Sequence, residues 1–335
     1  MWDGQLMKYS TRIAFLLNLM VVAGIGRAAE PLRLVRTIPL ANVVGRIDHL
    51  AADTDGHRLL VAALGNNSVE VIDLGAGKVV ESVGGLHEPQ GVAFLKDAGV
   101  IAVASGDDGT CRLFDAKTLR LRKTIDLQSD ADNVRFDPHE NRLYVGFGKG
   151  AIAAIDMTNQ ARVADIKLSG HPESFQLETK GNRIFVNVPE ARQVAVIDRQ
   201  RGKIEATWPV SEAQANFPMA LDEAGRRLFV GCRSPAKVLV YDAESGKVLS
   251  NFPTVGDTDD LFYDSRIRRL YVCGGEGFVF VHQKEHGDRF TKLAKIPTAA
   301  GARTALFVPT ISRLFVAVPP RGSQAAELRE FEVMP

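Results

Sequence analysis

Short apolar strands recur along most of this chain at a nearly constant spacing. Each copy is a basic or small residue, then two apolar or aromatic residues, then valine. The seven copies begin at Arg58, Val100, Arg142, Arg183, Arg227, Arg269 and Arg313. Successive copies start 41 to 44 residues apart. Repeats of this length without helical periodicity predict the blades of a β-propeller rather than the coils of a helical solenoid.

A second strand follows each copy by about ten residues and ends in a turn residue. In five units this residue is aspartate, at Asp73, Asp115, Asp156, Asp198 and Asp242. His282 takes the place in the sixth unit and Glu332 in the seventh. Because aspartate side chains accept backbone N–H groups in turns, we interpret the five aspartates as structural.

The seven units are complete only if the two ends of the chain meet. Each unit continues into a fourth strand, as at 203–208, but the seventh ends at Pro335 without one. The segment 32–38 stands alone before the first unit and has the pattern of a fourth strand. We therefore predict an all-β fold over residues 29–335, a seven-bladed β-propeller of four-stranded antiparallel blades whose last blade is closed by the N-terminal strand.

These repeated R-L-[LYF]-V and V-x-V-I-D strands resemble those of the YVTN-type seven-bladed propellers, typified by the periplasmic YncE-like proteins. The resemblance covers residues 32–335, although the dipeptides that mark WD40 repeats are missing. It implies a secreted or periplasmic binding-type protein with no settled activity. It supplies no catalytic motif, and a shared fold does not by itself imply a shared function.

The first 28 residues have a different pattern. Lys8 and Arg12 precede an apolar run at 13–25, and Gly26 and Ala28 place small residues before a cleavage point. This pattern predicts a secretory signal peptide over 1–28 and a periplasmic or secreted mature chain. The run is shorter than the roughly 20 residues of a membrane span, so we expect no membrane span in the mature chain. Whether translation starts at Met1 or Met7 stays open.

The composition narrows the classes of partner and cofactor. With 41 Lys and Arg against 40 Asp and Glu, the formal net charge is +1, so no basic excess indicates nucleic acid. Three cysteines are an odd count at wide spacing, which favours small buried residues over disulfides. Neither a C-x-x-C-H haem motif nor zinc-type Cys/His spacing occurs. We expect a monomer.

The alignment of the units places two rings of residues where the innermost strands begin, at one mouth of the central channel. The first ring is Asp48, Gln90, Asp132, Glu173, Phe217, Asp259 and Arg303. The second ring, one position further on, is His49, Gly91, Asn133, Ser174, Pro218, Asp260 and Thr304. Strand alternation puts His87, His171 and Arg233 on the same face. The predicted ligand-binding residues are Asp48, His49, Gln90, Asp132, Asn133, Glu173, Asp259, Asp260 and Arg303.

Four carboxylates in the first ring need a compensating charge. Two carboxylates ~8 Å apart at an effective dielectric constant near 20 repel by roughly 2 kcal/mol. Arg303, Arg46 or a bound divalent cation would offset this repulsion. The metal hypothesis uses Asp48, His49, Asp132, Glu173 and Asp259. Two alternatives stay open, a ligand pocket without metal and a water-filled channel whose polar residues only serve the loops.

No motif of a nucleophilic enzyme is present, neither G-x-S-x-G nor H-E-x-x-H nor a Gly-rich phosphate loop. The first hypothesis is therefore a binding or interaction protein that recognises a small ligand or an envelope protein at the channel mouth. The alternative is a metal-assisted hydrolase or lyase whose cation is held by the carboxylate and histidine ring. The catalytic residues and the cofactor are unknown at this point, and the missing haem motif weakens a redox role.

Overall fold

A computed structural model describes Met1 and residues 30–335 of the chain. The predicted signal peptide therefore falls, apart from Met1, outside the described residues. The described part is nearly all β, and its strands form seven four-stranded antiparallel sheets arranged as blades. The predicted propeller is confirmed. No helix among these residues has the length and apolar character to cross a membrane.

The strands are numbered in chain order, and each blade runs from the channel outwards. Blade one comprises β2 (Leu50–Asp53), β3 (Arg58–Ala63), β4 (Ser68–Asp73) and β5 (Lys78–Val83), and blade two comprises β6 (Pro89–Leu95), β7 (Val100–Ser105), β8 (Thr110–Asp115) and β9 (Leu121–Asp126). Blade three comprises β10 (Ala131–Asp137), β11 (Arg142–Phe147), β12 (Ala151–Asp156) and β13 (Ala161–Lys167). Blade four comprises β14 (Phe175–Leu177), β15 (Arg183–Val188), β16 (Gln193–Asp198) and β17 (Lys203–Pro209).

The remaining blades follow the same order until the ring closes. They comprise β18 (Gln214–Asp222), β19 (Arg227–Ser234), β20 (Ala236–Asp242) and β21 (Val248–Pro253); β22 (Thr258–Asp264), β23 (Arg269–Gly274), β24 (Phe278–Lys284) and β25 (Phe290–Pro297); and β26 (Ala305–Val308), β27 (Arg313–Val318), β28 (Glu327–Val333) and β1 (Leu32–Pro39). Short 3-10 turns occupy Leu64–Asn66 and Pro309–Ile311.

The hydrophobic core lies between neighbouring blades. The second strand of every blade is buried on both faces, since each blade is covered by another on either side. The third residue of the repeated phrase fills the gap between blades and is almost fully buried in all seven copies, which are Leu60, Ala102, Tyr144, Phe185, Phe229, Tyr271 and Phe315. The outer strands, such as β5, are mostly exposed.

The ring closes as predicted. Strand β1 pairs antiparallel with β28, from Leu32 opposite Val333 to Pro39 opposite Glu327. The side chains of Leu32 and Ile38 are buried at this junction. The N-terminal strand therefore supplies the fourth strand of the last blade.

Two smaller predictions also hold in the described residues. The aspartates after the third strands accept turn N–H groups, for example Asp73 from Ala76 at 2.7 Å and Asp242 from Ser245 at 2.8 Å. The three cysteines are buried and unpaired. In the sixth blade the substitute His282 is buried, and burial lowers its pKa to about 4, so it is neutral at pH 7.

Candidate functional site at the channel mouth

A β-bulge lies where the two predicted rings fall, at or just before the start of the innermost strand, in six of the seven blades. In the first blade Asp48 N–H donates to the carbonyl of Ala62 at 2.7 Å, and Ala62 N–H donates back to His49 at 3.0 Å. Two inner residues thus oppose one residue of the second strand. Five other blades show the same feature as register shifts or equivalent hydrogen bonds. Bulges redirect side chains, and here the seven residues of the first ring, together with His49 of the second ring, line the channel mouth.

A polar cavity of about 420 Å³ occupies the mouth. It is lined by Arg46, Asp48, His49, Gln90, Asp130, Asp132, His171, Glu173, Phe217, Arg233, Asp259 and Arg303. Seven of the nine residues predicted from the sequence are among them. The structure therefore brings most of the candidate set together, and their role in binding a ligand stays a prediction.

The other two predicted residues, Asn133 and Asp260, both belong to the second ring and lie outside this cavity. Asn133 is buried, and its side-chain oxygen has no hydrogen-bond partner in the described structure. Asp260 accepts the N–H of Ala305 at 2.8 Å. Its carboxylate contributes to the channel on the far side of the ring.

One side of the mouth is a compact ion-pair cluster around Asp259. Arg233 approaches one carboxylate oxygen at 2.6 Å and Arg303 the other at 2.9 Å. The guanidinium of Arg233 also stacks over the ring of Phe217, 3.6 Å from its centre. Burial raises the pKa of Asp259, and the two arginines oppose that shift. Of the candidates for the compensating charge, Arg303 pairs with Asp259 and Arg46 approaches Asp48 at 3.3 Å, while Arg233 was not among them.

His49 lies between two carboxylates. Its Nδ1 is 3.6 Å from Asp260 and its Nε2 is 3.8 Å from Asp48. Burial disfavours the charged ring, but the two carboxylates outweigh burial and raise the pKa of His49 to about 10. Burial also raises the pKa of Asp48 to about 7, assisted by nearby Asp132 and opposed by His49 and Arg46. His49 is therefore an imidazolium at pH 7.

A second histidine, His171, approaches the mouth from the loop between β13 and β14. Its Nδ1–H donates to the carbonyl of Gly148 at 2.6 Å, and its Nε2 is 3.9 Å from Asp132. Burial opposes protonation, but the interactions with Asp132, Gly148 and Asp130 raise the pKa of His171 to about 9. Neither His171 nor Asp130 belongs to the predicted set, because that set contains only residues of the two rings. The signal that could have added His171 to the set was its predicted position on the same face as the two rings.

Glu173 differs from the other acids of the mouth. Within the described residues its carboxyl group has no hydrogen-bond or ion-pair partner, whereas its N–H donates to Asn187. Burial, together with Asp132 and Asp259, raises its pKa to about 8. Glu173 is therefore mainly protonated at pH 7 and available to a ligand.

The described side chains do not fit the metal hypothesis. Among residues 30–335 no group of three or more His, Cys, Asp or Glu side chains is arranged to hold a metal ion. Both carboxylate oxygens of Asp259 face arginines, and His49 faces carboxylates through both ring nitrogens. Four of the five residues proposed as ligands thus face other charged side chains, whereas Glu173 has no partner among the described residues.

No known protein family matches the sequence, and no curated protein matches it. Solved structures do match. A chain of Kuenenia stuttgartiensis hydrazine synthase has a TM-score of 0.74 at 16% identity, over 84% of this chain and 94% of that one. A chain of the mitotic checkpoint complex has a TM-score of 0.78 at 13% identity, over 100% of both chains. At these identities the similarity shows the β-propeller fold alone.

Proposed function

We propose that this protein is an exported, monomeric binding protein whose channel mouth takes a small molecule carrying a positively charged nitrogen group. The observation that carries the proposal is Glu173, a carboxyl group without a partner among the described residues, inside a 420 Å³ cavity of charged side chains. Cavities of a few hundred Å³ with a few convergent polar groups are typical of small-molecule sites.

Electrostatics favour a cation over an anion at this point. Asp259 already pairs with two arginines, whereas Asp132 has one ion-pair contact, with His171 at 3.9 Å. Glu173 has no ion pair among the described residues, and His171 and Arg233 attract it only from longer range. An ammonium or guanidinium group beside Glu173 would replace the missing partner and favour the ionised carboxylate. The ligand therefore lowers the pKa of Glu173 from about 8, and binding at pH 7 releases a proton.

The test compares two molecules of the same length and opposite charge, putrescine and succinate. Isothermal titration at pH 7 in two buffers of different ionisation enthalpy measures affinity and proton release together. We expect putrescine to bind with release of up to one proton, and its affinity to rise between pH 6 and pH 8. Preferential binding of succinate, or proton uptake with putrescine, would reject the proposal.

A variant pair assigns the effect to Glu173. Losing a charge-assisted hydrogen bond costs roughly 1.5–3 kcal/mol of binding free energy, so Glu173→Gln should weaken putrescine binding by about tenfold or more. The matched control is Glu81→Gln, an exposed acid on the outer strand β5. An equal loss of putrescine affinity in both variants would contradict binding at the channel mouth.

An envelope protein was the other partner that the sequence left open. The checkpoint-complex chain is described as part of a complex, so a propeller of this shape is compatible with assembly. We favour the small molecule because the charged side chains line a cavity. Membership of the YncE-like propellers is likewise a proposal, since the resemblance rests on the repeated strands alone.

Export is tested separately. Expression of the full chain in a Gram-negative host, followed by fractionation, should place the protein in the periplasm with an N-terminus at Ala29. Light scattering on that sample should give the mass of one chain. A cytoplasmic protein that retains residues 1–28 would contradict the signal peptide, and a mass of two chains would contradict the monomer.

A further inference from the structure

The channel contains a second cavity on the far side of the second ring. It has a volume of about 650 Å³ and is lined by the innermost strands of six blades. His49 lines both cavities and so marks the boundary between them. The far cavity opens near Lys96 and Asp97, on the face opposite the mouth, and Lys96 is held there by Asp55 at 2.6 Å.

The walls of this far cavity are mainly apolar. Phe94, Phe136 and Phe262 provide aromatic surface on three blades. The ring of residues just after the first apolar position contributes Ala51, Ala93, Arg135, Gln176, Phe262 and Leu306. The lining also contains polar residues, which are His49, Lys96, Asp97, Arg135, Gln176 and Asp260. Cavities of several hundred Å³ that combine apolar walls with a few polar groups are the usual form of a site for a drug-sized molecule.

Arg135 is the only charged residue among the six that come just after the first apolar position. In its one side-chain hydrogen bond within the described structure, Nη1–H donates to the carbonyl of the preceding Val134 at 2.9 Å. None of the described carboxylates lies within ion-pair distance of it, and its guanidinium rests 5.6 Å from the centre of the Phe175 ring. A guanidinium has five N–H donors, so most of those on Arg135 have no protein partner.

The unpaired donors of Arg135 face the cavity, because the side chain is only half-buried. Burial lowers the pKa of Arg135, and the attraction of Asp260 and Asp132 offsets burial only in part. A ligand that covers this guanidinium must supply a partner for it, because a charge taken out of water needs one. A carboxylate matches the planar fork of a guanidinium with two parallel hydrogen bonds.

We propose that the far cavity binds a small amphipathic carboxylate, with its carboxylate on Arg135 and its apolar body between Phe136 and Phe262. The ligand enters from the face opposite the mouth. The ligand stops at Arg135, whose guanidinium holds its carboxylate. This site is independent of the one proposed at the mouth.

The probe is octanoate, with octanamide as its uncharged match. Isothermal titration of the full-length protein at pH 7 should show octanoate binding at least tenfold more tightly than octanamide. Equal affinity for the two compounds, or no binding of octanoate at millimolar concentration, would overturn the proposal. This comparison needs no variant, so it holds even if a substitution in the channel impairs folding.

Variants then locate the site. Arg135→Gln should weaken octanoate binding at least tenfold and leave octanamide binding unchanged. Arg120→Gln, at an exposed arginine, should change the affinity for neither compound. Glu173→Gln at the mouth should also leave octanoate affinity unchanged. If Arg135→Gln keeps the wild-type circular dichroism and melting temperature and still binds octanoate normally, the proposal is wrong.

Discussion

At the scale of single residues, Glu173 links the channel mouth to the stability of the chain. Its pKa of about 8 in the folded protein is above its ordinary value of 4.5, so the folded state holds a proton that the unfolded state releases. Its contribution to stability is therefore fully present below pH 4.5 and is lost as the pH rises through 8. Asp48, with a pKa raised to about 7, acts in the same direction.

Glu173→Gln should consequently raise the melting temperature relative to wild type at pH 9, by about 2 °C or more, and have less effect at pH 5. The measurement is the difference in melting temperature between variant and wild type from pH 5 to pH 9. Glu81→Gln serves as the control, with no trend expected. A difference that shrinks as the pH rises would contradict the raised pKa.

Gly91 in the second ring has a steric reason to be glycine. A Cβ at this position would lie 2.1 Å from the carbonyl oxygen of Asp132 and 2.8 Å from a methyl group of Val134. Gly91→Ala should therefore lower the free energy of unfolding by about 3 kcal/mol. Gly84→Ala is the control, because a Cβ there meets nothing within 4 Å. Chemical denaturation checks both, and equal stability of the two variants would refute the close approach.

Sequence reasoning at this scale found the bulge residues and missed the loop residues. The repeat fixes a register, and the register locates Asp132, Glu173 and Asp259 because each copy has the same offset. His171 and Asp130 belong to loops of variable length, where the repeat provides no register. The pairing of Arg233 with Asp259 depends on packing over Phe217, which no pattern along the chain encodes.

At the scale of elements, the closing strand β1 is the most informative prediction. Ile38 is fully buried against the last blade, whereas Leu34 on the same strand is half exposed. Ile38→Ala should lower the free energy of unfolding by about 2–5 kcal/mol, and Leu34→Ala should change it by less than about 0.5 kcal/mol. Urea denaturation measures both. Similar effects would mean that β1 does not close the ring.

The strands themselves were predictable because each blade repeats the same buried positions. The third residue of the phrase packs between blades in all seven copies, so its apolar character recurs. The bulges were not predicted as such, because they fall at the start of short inner strands, where too few residues precede them to show a break in the alternation of apolar and polar positions.

At the scale of the whole molecule, the channel has two unlike halves. The mouth is lined by acids, arginines and protonated histidines, and the far cavity by apolar side chains around Arg135. His49 and Asp260 stand between the halves and pair with each other. Seven similar blades thus form an asymmetric channel, because the ring positions differ from blade to blade while the strands stay alike.

The central claim is that Glu173 in the mouth receives a positively charged group. The most direct measurement is a crystal structure of the protein grown with putrescine at pH 8. We predict density for the diamine in the mouth cavity, with one ammonium nitrogen within hydrogen-bond distance of the Glu173 carboxylate and close to Asp132. Density elsewhere, or a mouth that holds only water beside Glu173, would contradict the account.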